Sequence, residues 1–565
     1  MYQTLPNFRT PEMLGENRTF LLDHPKKEAV LNMLAYGLRG EWGPDPPPFG
    51  REAANYLGSQ AARRECRQRF KSEILAGRML GGPGWTREVV RWFLGRDFYL
   101  TPCGAVRKGD NPHGRIVHNY SHEIDGLSLN DALIDNSVSY ISFKERVQLL
   151  SQVSWNFKMD LKNGYRQLPV HPVDWHTQVY SLGPSEFYVD LAMPFGKANS
   201  SKKFCAWTDL WFASVHFHFQ GAVPFHSVLG SYVDDAFGGA CTKDEALSMI
   251  RYILQAGQAT ATYFNEAKTR GPATKLVVLG LLFCSVTQSC RVGPDKQAKY
   301  LARIDALAAG PTTQSRTLEQ LIGNLGFAAW VEPFGRPLLA ILSHAIVRDQ
   351  PAARVLLTRR MVAALRIWRL LLVRNRGLPY KFILNKLPAV QMPIYVDAAT
   401  SSGCGGFHKL EYFLISHNAA QPYLRTCPGW ETFPCVPIAW LELLSVFVAV
   451  QLFAPRYPGQ FIVLYSDNQN VVSWLRSRQP PNPAAADLVA AIDRIKYHYL
   501  IKLSARFIPT KRNRSADLLS RGVVPGWLSR LGTQIFPCMR TLAYLLNNKN
   551  SLRLWTNSIE SATSV

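Results

Sequence analysis

Apolar positions recur about every second residue in some stretches of this chain and every three to four residues in others. The first spacing predicts strands, and the second predicts helices. From about 98 to 285, short strand-like runs alternate with helical segments, which is typical of an α+β arrangement. From about 291 to 345 the apolar spacing is helical, and Thr317 and Gln320 form a capping-box pattern that predicts a helix start. A second α/β pattern, with strands, a Gly-rich turn and helices, begins at Met392.

The most apolar stretch, residues 436–455, raises the question of a membrane span. Its 20 residues are enough to cross a bilayer at about 1.5 Å per residue. A charged Glu442 near its middle would cost several kcal/mol in lipid, so we expect no membrane span. The N-terminus also lacks the basic and then apolar layout of a secretory signal. We therefore expect an intracellular protein, in the cytoplasm or the nucleus.

The charge balance narrows the class of partner. With 64 Lys and Arg against 41 Asp and Glu, the 565-residue chain carries a net charge of +23, which favours a polyanion such as nucleic acid. An anionic membrane surface is the alternative. Two basic helical patterns, 63–80 and 354–376, are candidates for phosphate contact, although an ordinary solvated face explains them as well. The ten cysteines contain no CxxC pair and no zinc-finger spacing, so we expect reduced thiols.

Two adjacent carboxylates, Asp234 and Asp235, follow the apolar run 228–233. Like charges side by side repel each other, so the pair either faces water or is neutralised by a cation. Asp160 ends another strand-like run, and two such strands can lie adjacent in one sheet, which would bring the three acids together. Hard oxygen ligands of this number suit Mg²⁺, with substrate phosphates completing the octahedron, and a pair of such ions catalyses phosphoryl transfer.

The motifs around these acids resemble those of reverse transcriptases. "YVDD" is similar to their catalytic hairpin, "DLKNGYRQLPV" to the preceding strand motif, and "MPFGKANSSKKF", "FNEAKT" and "LGLLF" to the later motifs, in family order. The resemblance implies that Asp160 and Asp234 ligate the two metal ions that bridge to the nucleotide, with Asp235 as the third carboxylate. It also implies that Lys268 protonates the pyrophosphate leaving group, although a surface lysine looks the same in sequence.

The same resemblance assigns the nucleotide pocket. Tyr165 matches the bulky residue that stacks under the sugar and selects deoxynucleotides, and a buried core tyrosine is the alternative. Phe195 and Gly196 match residues that contact the sugar and the base. Lys108 and Arg115 match the basic residues that clamp the triphosphate, a task for which the planar fork of Arg is suited.

Four further acids lie in the C-terminal α/β pattern, each at the end of an apolar segment or within one: Asp397, Glu442, Asp467 and Asp517. If they share one cleft, they imply two divalent ions that direct water onto a phosphodiester. Taken alone, Asp467 and Asp517 are equally well explained as helix caps or surface charges. The motifs "DAATSSGCGG", "WLELLS", "YSDNQNVV" and "NRSADLLSR" resemble ribonuclease H in their order.

One departure from ribonucleases H concerns histidine. Many members carry a mobile His shortly before the last Asp, where this chain reads "IPTKRNRSAD", and His498 lies further upstream than a replacement would. We expect hydrolysis that is slower, or differently gated, than in His-containing enzymes.

Finer motifs, including "GRIVHNYSHEIDGLSLNDAL" and "SADLLSR", resemble DIRS-type retrotransposons most, which pair such a polymerase with a tyrosine recombinase. Long-terminal-repeat retrotransposons are the second choice. The chain shows no Asp-Thr/Ser-Gly protease signature and no His/Cys zinc pattern of a retroviral-type integrase.

Together these resemblances imply an RNA-directed and DNA-directed DNA polymerase with ribonuclease H activity, using two Mg²⁺ or Mn²⁺ ions per site. The expected partners are an RNA template, a DNA primer, the RNA–DNA hybrid, dNTPs and a tyrosine recombinase of the same element. A catalytically silent, domesticated nucleic-acid-binding scaffold is the alternative.

The implied fold is α+β and multidomain: a right-hand polymerase followed by a connection and an α/β ribonuclease H-like domain. The predicted segments are an N-terminal extension with a Pro-rich linker and a basic helix (1–95), fingers and palm (96–285), thumb (286–345), connection (346–390), ribonuclease H-like domain (391–525) and C-terminal tail (526–565).

Overall fold

The computed structural model describes residues 11–43, 56, 60–106, 115–123, 126–134, 137–347, 349–384, 391–417, 437–478, 480, 483–499 and 501–536. It divides into two compact units, residues 1–279 and 280–565. The Pro-rich stretch 44–50 and the tail beyond 536 lie outside the described residues.

Helices and strands are mixed along the first unit. Its helices are α1 (Pro11–Phe20), α2 (Lys27–Tyr36), α3 (Gln60–Leu75), α4 (Arg87–Leu94), α5 (Phe143–Leu150), α6 (Ser200–Ala222) and α7 (Lys243–Ala259). Its strands are β1 (Met79–Pro83), β2 (Cys103–Val106), β3 (Arg115–His118), β4 (Trp155–Asp160), β5 (Val179–Gly183), β6 (Glu186–Asp190), β7 (Ser227–Tyr232), β8 (Asp235–Ala240), β9 (Arg270–Ala273) and β10 (Lys275–Val278).

A sheet of order β7-β8-β4-β9 carries the acids at the end of β4 and the start of β8. β7 and β8 form an antiparallel hairpin, and β4 pairs antiparallel with β8 along its whole length. Phe157 of β4 packs in one core with Trp207 and Trp211 of α6 and Ile253 of α7. A second sheet has the order β1-β6-β5, and β2 pairs with β3. The packed helices hold the strand ends, and therefore the acids, in fixed positions.

The N-terminal helices belong to the core of this first unit. Leu21, Val30, Leu31 and Leu34 are buried in the same cluster as the strands and α6. Val30 and Leu34 lie one helical turn apart on α2, which gives that helix an apolar face. The segment predicted as an extension is therefore packed against the rest of the unit over 11–43.

The second unit has helical and sheet-forming parts. Its helices are α8 (Pro294–Ala308), α9 (Ser315–Ala328), α10 (Arg336–Ser343), α11 (Arg359–Arg374), α12 (Tyr380–Ile383), α13 (Ile438–Phe453), α14 (Gln469–Ser477), α15 (Pro483–His498), α16 (Arg514–Ser520) and α17 (Gly526–Leu531). Its strands are β11 (Leu281–Cys284), β12 (Ser289–Val292), β13 (Thr312–Gln314), β14 (Arg354–Leu356), β15 (Leu378–Pro379), β16 (Gln391–Ala399), β17 (Gly403–His408), β18 (Glu411–Ser416), β19 (Phe461–Ser466), β20 (Lys502–Phe507) and β21 (Thr533–Gln534).

Two predicted helix starts in this unit are wrong. α9 begins at Ser315, before the capping-box pattern, because the buried Ser315 hydroxyl exchanges hydrogen bonds with the backbone of Val347 at 3.2 and 3.0 Å. The predicted helix 354–376 begins at Arg359 instead, since residues 354–356 form β14 and pair with β13. Thr358 caps the shorter helix by accepting a hydrogen bond from the Met361 N–H at 3.2 Å.

A sheet of order β20-β19-β16-β17-β18-β21 forms the C-terminal part of the second unit. It extends to Gln534, beyond the predicted boundary at 525, because β21 pairs with β18. Among the described residues, one helical stretch, Ile438–Arg456, is long and apolar enough to cross a membrane. Most of it is buried against the sheet and α15, so it serves as a core helix here.

Candidate active sites

The hairpin of β7 and β8 brings three predicted acids to one end of its sheet. Asp160, the last residue of β4, pairs across the ladder with Asp235, the first residue of β8. Such opposed residues have Cα atoms about 4.5–5.5 Å apart. Asp234 lies in the hairpin turn, where its carbonyl oxygen accepts a hydrogen bond from the Leu161 N–H at 2.9 Å. The structure therefore places Asp160, Asp234 and Asp235 together.

The turn that presents Asp234 is conformationally unusual. Val233 has a φ of 57°, in the left-handed region that β-branched residues rarely occupy. Strained backbone of this kind persists only where the surrounding structure enforces it, and it is common at functional sites. The two paired strands enforce it here.

The acids of this hairpin repel one another. Burial and the charges of Asp234 and Asp160 raise the pKa of the Asp235 carboxyl to about 6. Lys268 donates a hydrogen bond from Nζ to Oδ2 of Asp160 at 2.9 Å and so supplies part of the missing positive charge. A divalent cation with oxygen ligands would relieve the remaining repulsion, so this group of side chains fits Mg²⁺ or Mn²⁺.

A cavity of about 730 Å³ opens beside these acids and is lined by Asp160, Asp234, Lys268 and Phe195. One face of α3 also lines the cavity, at the spacing i, i+3, i+4 and i+7, through Glu65, Gln68, Arg69 and Ser72. Arg69 is half-exposed and pairs with Glu73 at 3.0 Å. The sequence marks α3 only as a basic helix, and no motif predicts that Arg69 lines a cavity.

Of the predicted sugar- and base-contacting residues, Phe195 lines this cavity, whereas Tyr165 and Gly196 are not among its lining residues. Tyr165 is 9% exposed, its hydroxyl lies 2.9 Å from Ser201 Oγ, and its ring packs edge-on against Phe195 at 4.9 Å. Phe195 is 41% exposed and reaches the cavity. Gly196 has a φ of 95°, and a Cβ there would meet the His118 carbonyl oxygen at 2.8 Å, so only glycine fits this close approach. Tyr165 thus supports Phe195 from the core.

The predicted triphosphate clamp is only partly described. Lys108 lies outside the described residues, and Arg115 is placed by its backbone at the start of β3.

The cavity is also lined by a buried ion-pair network that no sequence motif predicts. Arg166 bonds both carboxylate oxygens of Asp190 at 2.8 Å and Oε2 of Glu73 at 3.0 Å. Burial alone would raise the pKa of Glu73, but Arg78, Arg166 and Arg69 lower it to about 2. In the sequence, the one sign of this network is Arg166 of "GYRQ", which follows Asp160.

A second acid cluster lies in the second unit. β16 carries Asp397, α13 carries Glu442, and Asp467 follows β19, the parallel neighbour of β16. Their carboxylate oxygens lie within 4.8 Å of one another. Burial and the charges of Asp467 and Asp517 raise the pKa of Asp397 to about 7. Burial and the charges of Asp397 and Asp467 raise the pKa of Glu442 to about 9.

Such a cluster suits a divalent cation. Acids that share a buried site resist ionisation until a cation neutralises them, and carboxylate oxygens are the ligands that Mg²⁺ and Mn²⁺ prefer. Asp517, on α16, lies next to the cluster and pairs with Arg521 at 2.9 Å. Three of the four predicted acids of this unit therefore share one cluster, and Asp517 lies beside it.

Hydroxyl groups donate hydrogen bonds to two of these acids. Ser520 Oγ donates to Asp397 Oδ2 at 2.6 Å, and Thr510 Oγ1 donates to Asp467 Oδ2 at 2.7 Å. Thr510 lies in the segment where the sequence lacks the expected His. The gating effect expected from that missing His stays a prediction.

No protein-family model and no curated protein matches this chain. Among solved structures, a foamy viral protease-reverse transcriptase dRH in complex with double-stranded DNA is 13% identical at a TM-score of 0.45, covering 88% of this chain and 82% of that one. The foamy viral protease-reverse transcriptase in complex with RNA/DNA hybrid has the same identity, TM-score and coverage of this chain, and 63% of its own length is covered. Its complex with dsDNA is 14% identical at a TM-score of 0.45, with 88% and 97% covered. These are distant structural likenesses, so the function of the two sites is inferred from their own geometry.

Proposed function

We propose that this protein is an RNA-directed and DNA-directed DNA polymerase with ribonuclease H activity. The observation that carries the proposal is the presence of one carboxylate cluster in each unit, assembled from acids far apart in the sequence. The first cluster is Asp160, Asp234 and Asp235, and the second is Asp397, Glu442 and Asp467, with Asp517 beside them. Two separate clusters of this kind suit two separate phosphoryl-transfer reactions.

The first cluster would hold the divalent ions which, when bound, activate an attacking hydroxyl and stabilise the leaving oxygen. Lys268, already within 2.9 Å of Asp160, is the proposed proton donor to the pyrophosphate. Tyr165, whose ring packs against Phe195, is proposed to exclude a 2′-hydroxyl at the sugar site, and Phe195 and Gly196 are the proposed contacts of the sugar and the base. Lys108, Arg115 and Arg69 are the proposed partners of the triphosphate.

The second cluster is proposed to hydrolyse the RNA strand of a hybrid. Asp397, Glu442, Asp467 and Asp517 would bind the ions and orient water at the scissile phosphate. The net charge of +23 suits a nucleic-acid backbone, so binding should be largely independent of sequence and should weaken with salt.

Incorporation of dNTPs on poly(rA)/oligo(dT) with Mg²⁺, together with labelled template RNA, tests both halves of the proposal. We expect Asp234→Asn to abolish DNA synthesis and to spare RNA cleavage, and Asp397→Asn to do the reverse. The silent scaffold becomes the better explanation if the wild-type protein binds the hybrid but neither makes DNA nor cuts RNA.

The finer assignment to DIRS-type retroelements is also a proposal, and it rests on the motif resemblance alone. It places the protein inside the cell, where the element's RNA is copied. A tyrosine-recombinase reading frame in the same element would support it, and an integrase frame with a zinc pattern would favour the long-terminal-repeat alternative.

A further inference from the structure

We propose that Ser520 is a positioning residue for the second acid cluster: its hydroxyl holds Asp397 in the orientation that binds a divalent cation. This inference rests on the proposed nuclease function, which assigns no role to Ser520. Ser520 is the last residue of α16, the helix that also carries Asp517.

The hydrogen bond between Ser520 and Asp397 is short and buried. Ser520 Oγ lies 2.6 Å from Asp397 Oδ2, and the two residues are 1% and 4% exposed. This distance is typical of a hydroxyl that donates to an ionised carboxylate, a bond about twice as strong as one between neutral groups. Little water reaches Asp397 to take the place of Ser520.

The hydroxyl has only one proton, and two acceptors lie within reach. Besides Asp397 Oδ2, the backbone oxygen of Asp517 lies 2.8 Å from Ser520 Oγ. That oxygen already accepts a backbone hydrogen bond from the Arg521 N–H at 3.2 Å. The carboxylate is the closer of the two and, when ionised, the stronger acceptor, so the proton is donated to it. The bond to Oδ2 fixes the orientation of the Asp397 carboxylate, one oxygen of which lies within 4.8 Å of oxygens of Glu442 and Asp467.

The backbone around Asp397 is shaped for this contact. Gly405 of β17 is the ladder partner of Asp397. A Cβ on Gly405 would lie 2.7 Å from the Leu519 carbonyl carbon and 2.9 Å from the Ser520 nitrogen. Only glycine therefore lets α16 approach the sheet closely enough for Ser520 to reach Asp397. The motifs "GCGG" and "SADLLSR", far apart in sequence, meet at this point.

A matched control is available on α13. Ser445 is also fully buried, and its hydroxyl donates to the backbone oxygen of Asp397 at 2.9 Å. Ser445→Ala thus removes a buried hydroxyl from the same aspartate without touching its carboxylate.

The experiment uses the full-length protein and compares Ser520→Ala, Ser520→Thr and Ser445→Ala. The readouts are Mg²⁺ affinity by calorimetry, in an Asp160→Asn/Asp234→Asn background that silences the first cluster, and the Mg²⁺ dependence of RNA cleavage. We expect Ser520→Ala to weaken Mg²⁺ binding about tenfold or more, the usual effect of removing a group that orients a metal ligand. Excess Mg²⁺ should restore most cleavage, and Ser520→Thr, which keeps the hydroxyl, should bind Mg²⁺ more tightly than Ser520→Ala. Ser445→Ala should stay close to the parent.

The inference is overturned if Ser520→Ala binds Mg²⁺ as the parent does, or if Ser445→Ala weakens binding equally. Unchanged DNA synthesis by Ser520→Ala, in the background with an intact first cluster, shows that the chain still folds. If Ser520→Ala does not fold, the Mg²⁺ affinity of Ser520→Thr is compared with that of the parent. An affinity close to the parent's supports the inference, and a loss of tenfold or more overturns it. If the wild-type protein cuts no RNA, the proposed nuclease function is wrong. The calorimetric comparison still tests whether Ser520 supports Mg²⁺ binding.

Discussion

At the scale of single residues, the carboxylates of the second acid cluster repel one another when they are ionised. Asp397 and Glu442 are 4% exposed each, and the hydroxyls of Ser520 and Ser466 donate hydrogen bonds to their carboxylates. Their pKa values of about 7 and about 9 both lie above the ordinary values of 3.8 and 4.5. The folded protein therefore binds more protons than the unfolded chain across the neutral range. This excess has a measurable consequence for stability.

We predict that the metal-free protein loses stability as pH rises. A raised folded-state pKa gives stability that is complete below about pH 4 and is lost as pH rises through about 7 for Asp397 and about 9 for Glu442. Each proton contributes a slope of up to about 1.4 kcal/mol per pH unit. Thermal unfolding in EDTA at about pH 6 and about pH 9 measures the effect.

Glu442→Gln should reduce this pH dependence, whereas Glu319→Gln, an exposed acid of α9 in the same unit, should leave it intact. A melting temperature of the metal-free wild type that is equal at both pH values would contradict the pKa shifts.

The missing His can be tested at the residue next to Thr510. Because the Thr510 hydroxyl bonds Asp467, replacing it would disturb the cluster, whereas Lys511 is exposed and adjacent. We expect Lys511→His to raise the steady-state turnover of a short RNA–DNA hybrid and to leave single-turnover cleavage unchanged. Lys511→Ala controls for loss of the lysine. Equal turnover by the His and Ala variants would show that a His at this position does not assist product release.

At the scale of helices and strands, α3 both packs into the core and lines the cavity, and its sequence does not distinguish the residues that do each. Its buried residue Cys66 packs into a core cluster, while Gln68, Arg69 and Ser72 face the cavity beside the first acid cluster. Arg64 lies on the same helix, is exposed, and is not part of the cavity lining. Arg69 and Arg64 therefore carry the same charge on one helix, but of the two only Arg69 lines the cavity.

We predict that Arg69→Ala raises the KM for dNTPs, because it removes a cation from the wall of the cavity proposed to bind the nucleotide. A half-exposed ionic contact contributes about 1 kcal/mol, which corresponds to roughly a fivefold change. Steady-state incorporation kinetics measure it, and Arg64→Ala should leave the KM near that of the wild type. Equal increases in both variants would indicate a general loss of charge instead.

The carboxylates were easier to predict from sequence than the elements around them. Asp160, Asp397 and Asp467 each end or closely follow a short apolar run, and the structure places each at or near a strand end. Helix starts depend on tertiary contacts, and so Ser315 begins α9 through its bonds to the distant Val347. Arg69 lines a cavity together with Asp160, and Ser520 bonds Asp397; these groups are far apart in sequence, so no local pattern reveals their proximity.

At the scale of the whole molecule, each unit has its own core and its own acid cluster. The sequence predicts a mixed helix and strand protein with two acid sites, and the structure contains both. It does not predict that α1 and α2 complete the first core, or that β21 extends the second sheet, because neither segment carries a functional motif. Packing, rather than chemistry, determines where these segments lie.

The pairing of Asp160 with Asp235 also limits how this chain can evolve. Side chains along a strand point alternately to the two faces of a sheet, so deleting a single codon within β4 would turn Asp160 away from its partner. The strand could still pair, and the apolar core would be disturbed, but the acids would no longer converge. Substitutions in this sheet can accumulate one by one, whereas a frame-preserving deletion there would separate the proposed metal ligands in a single step.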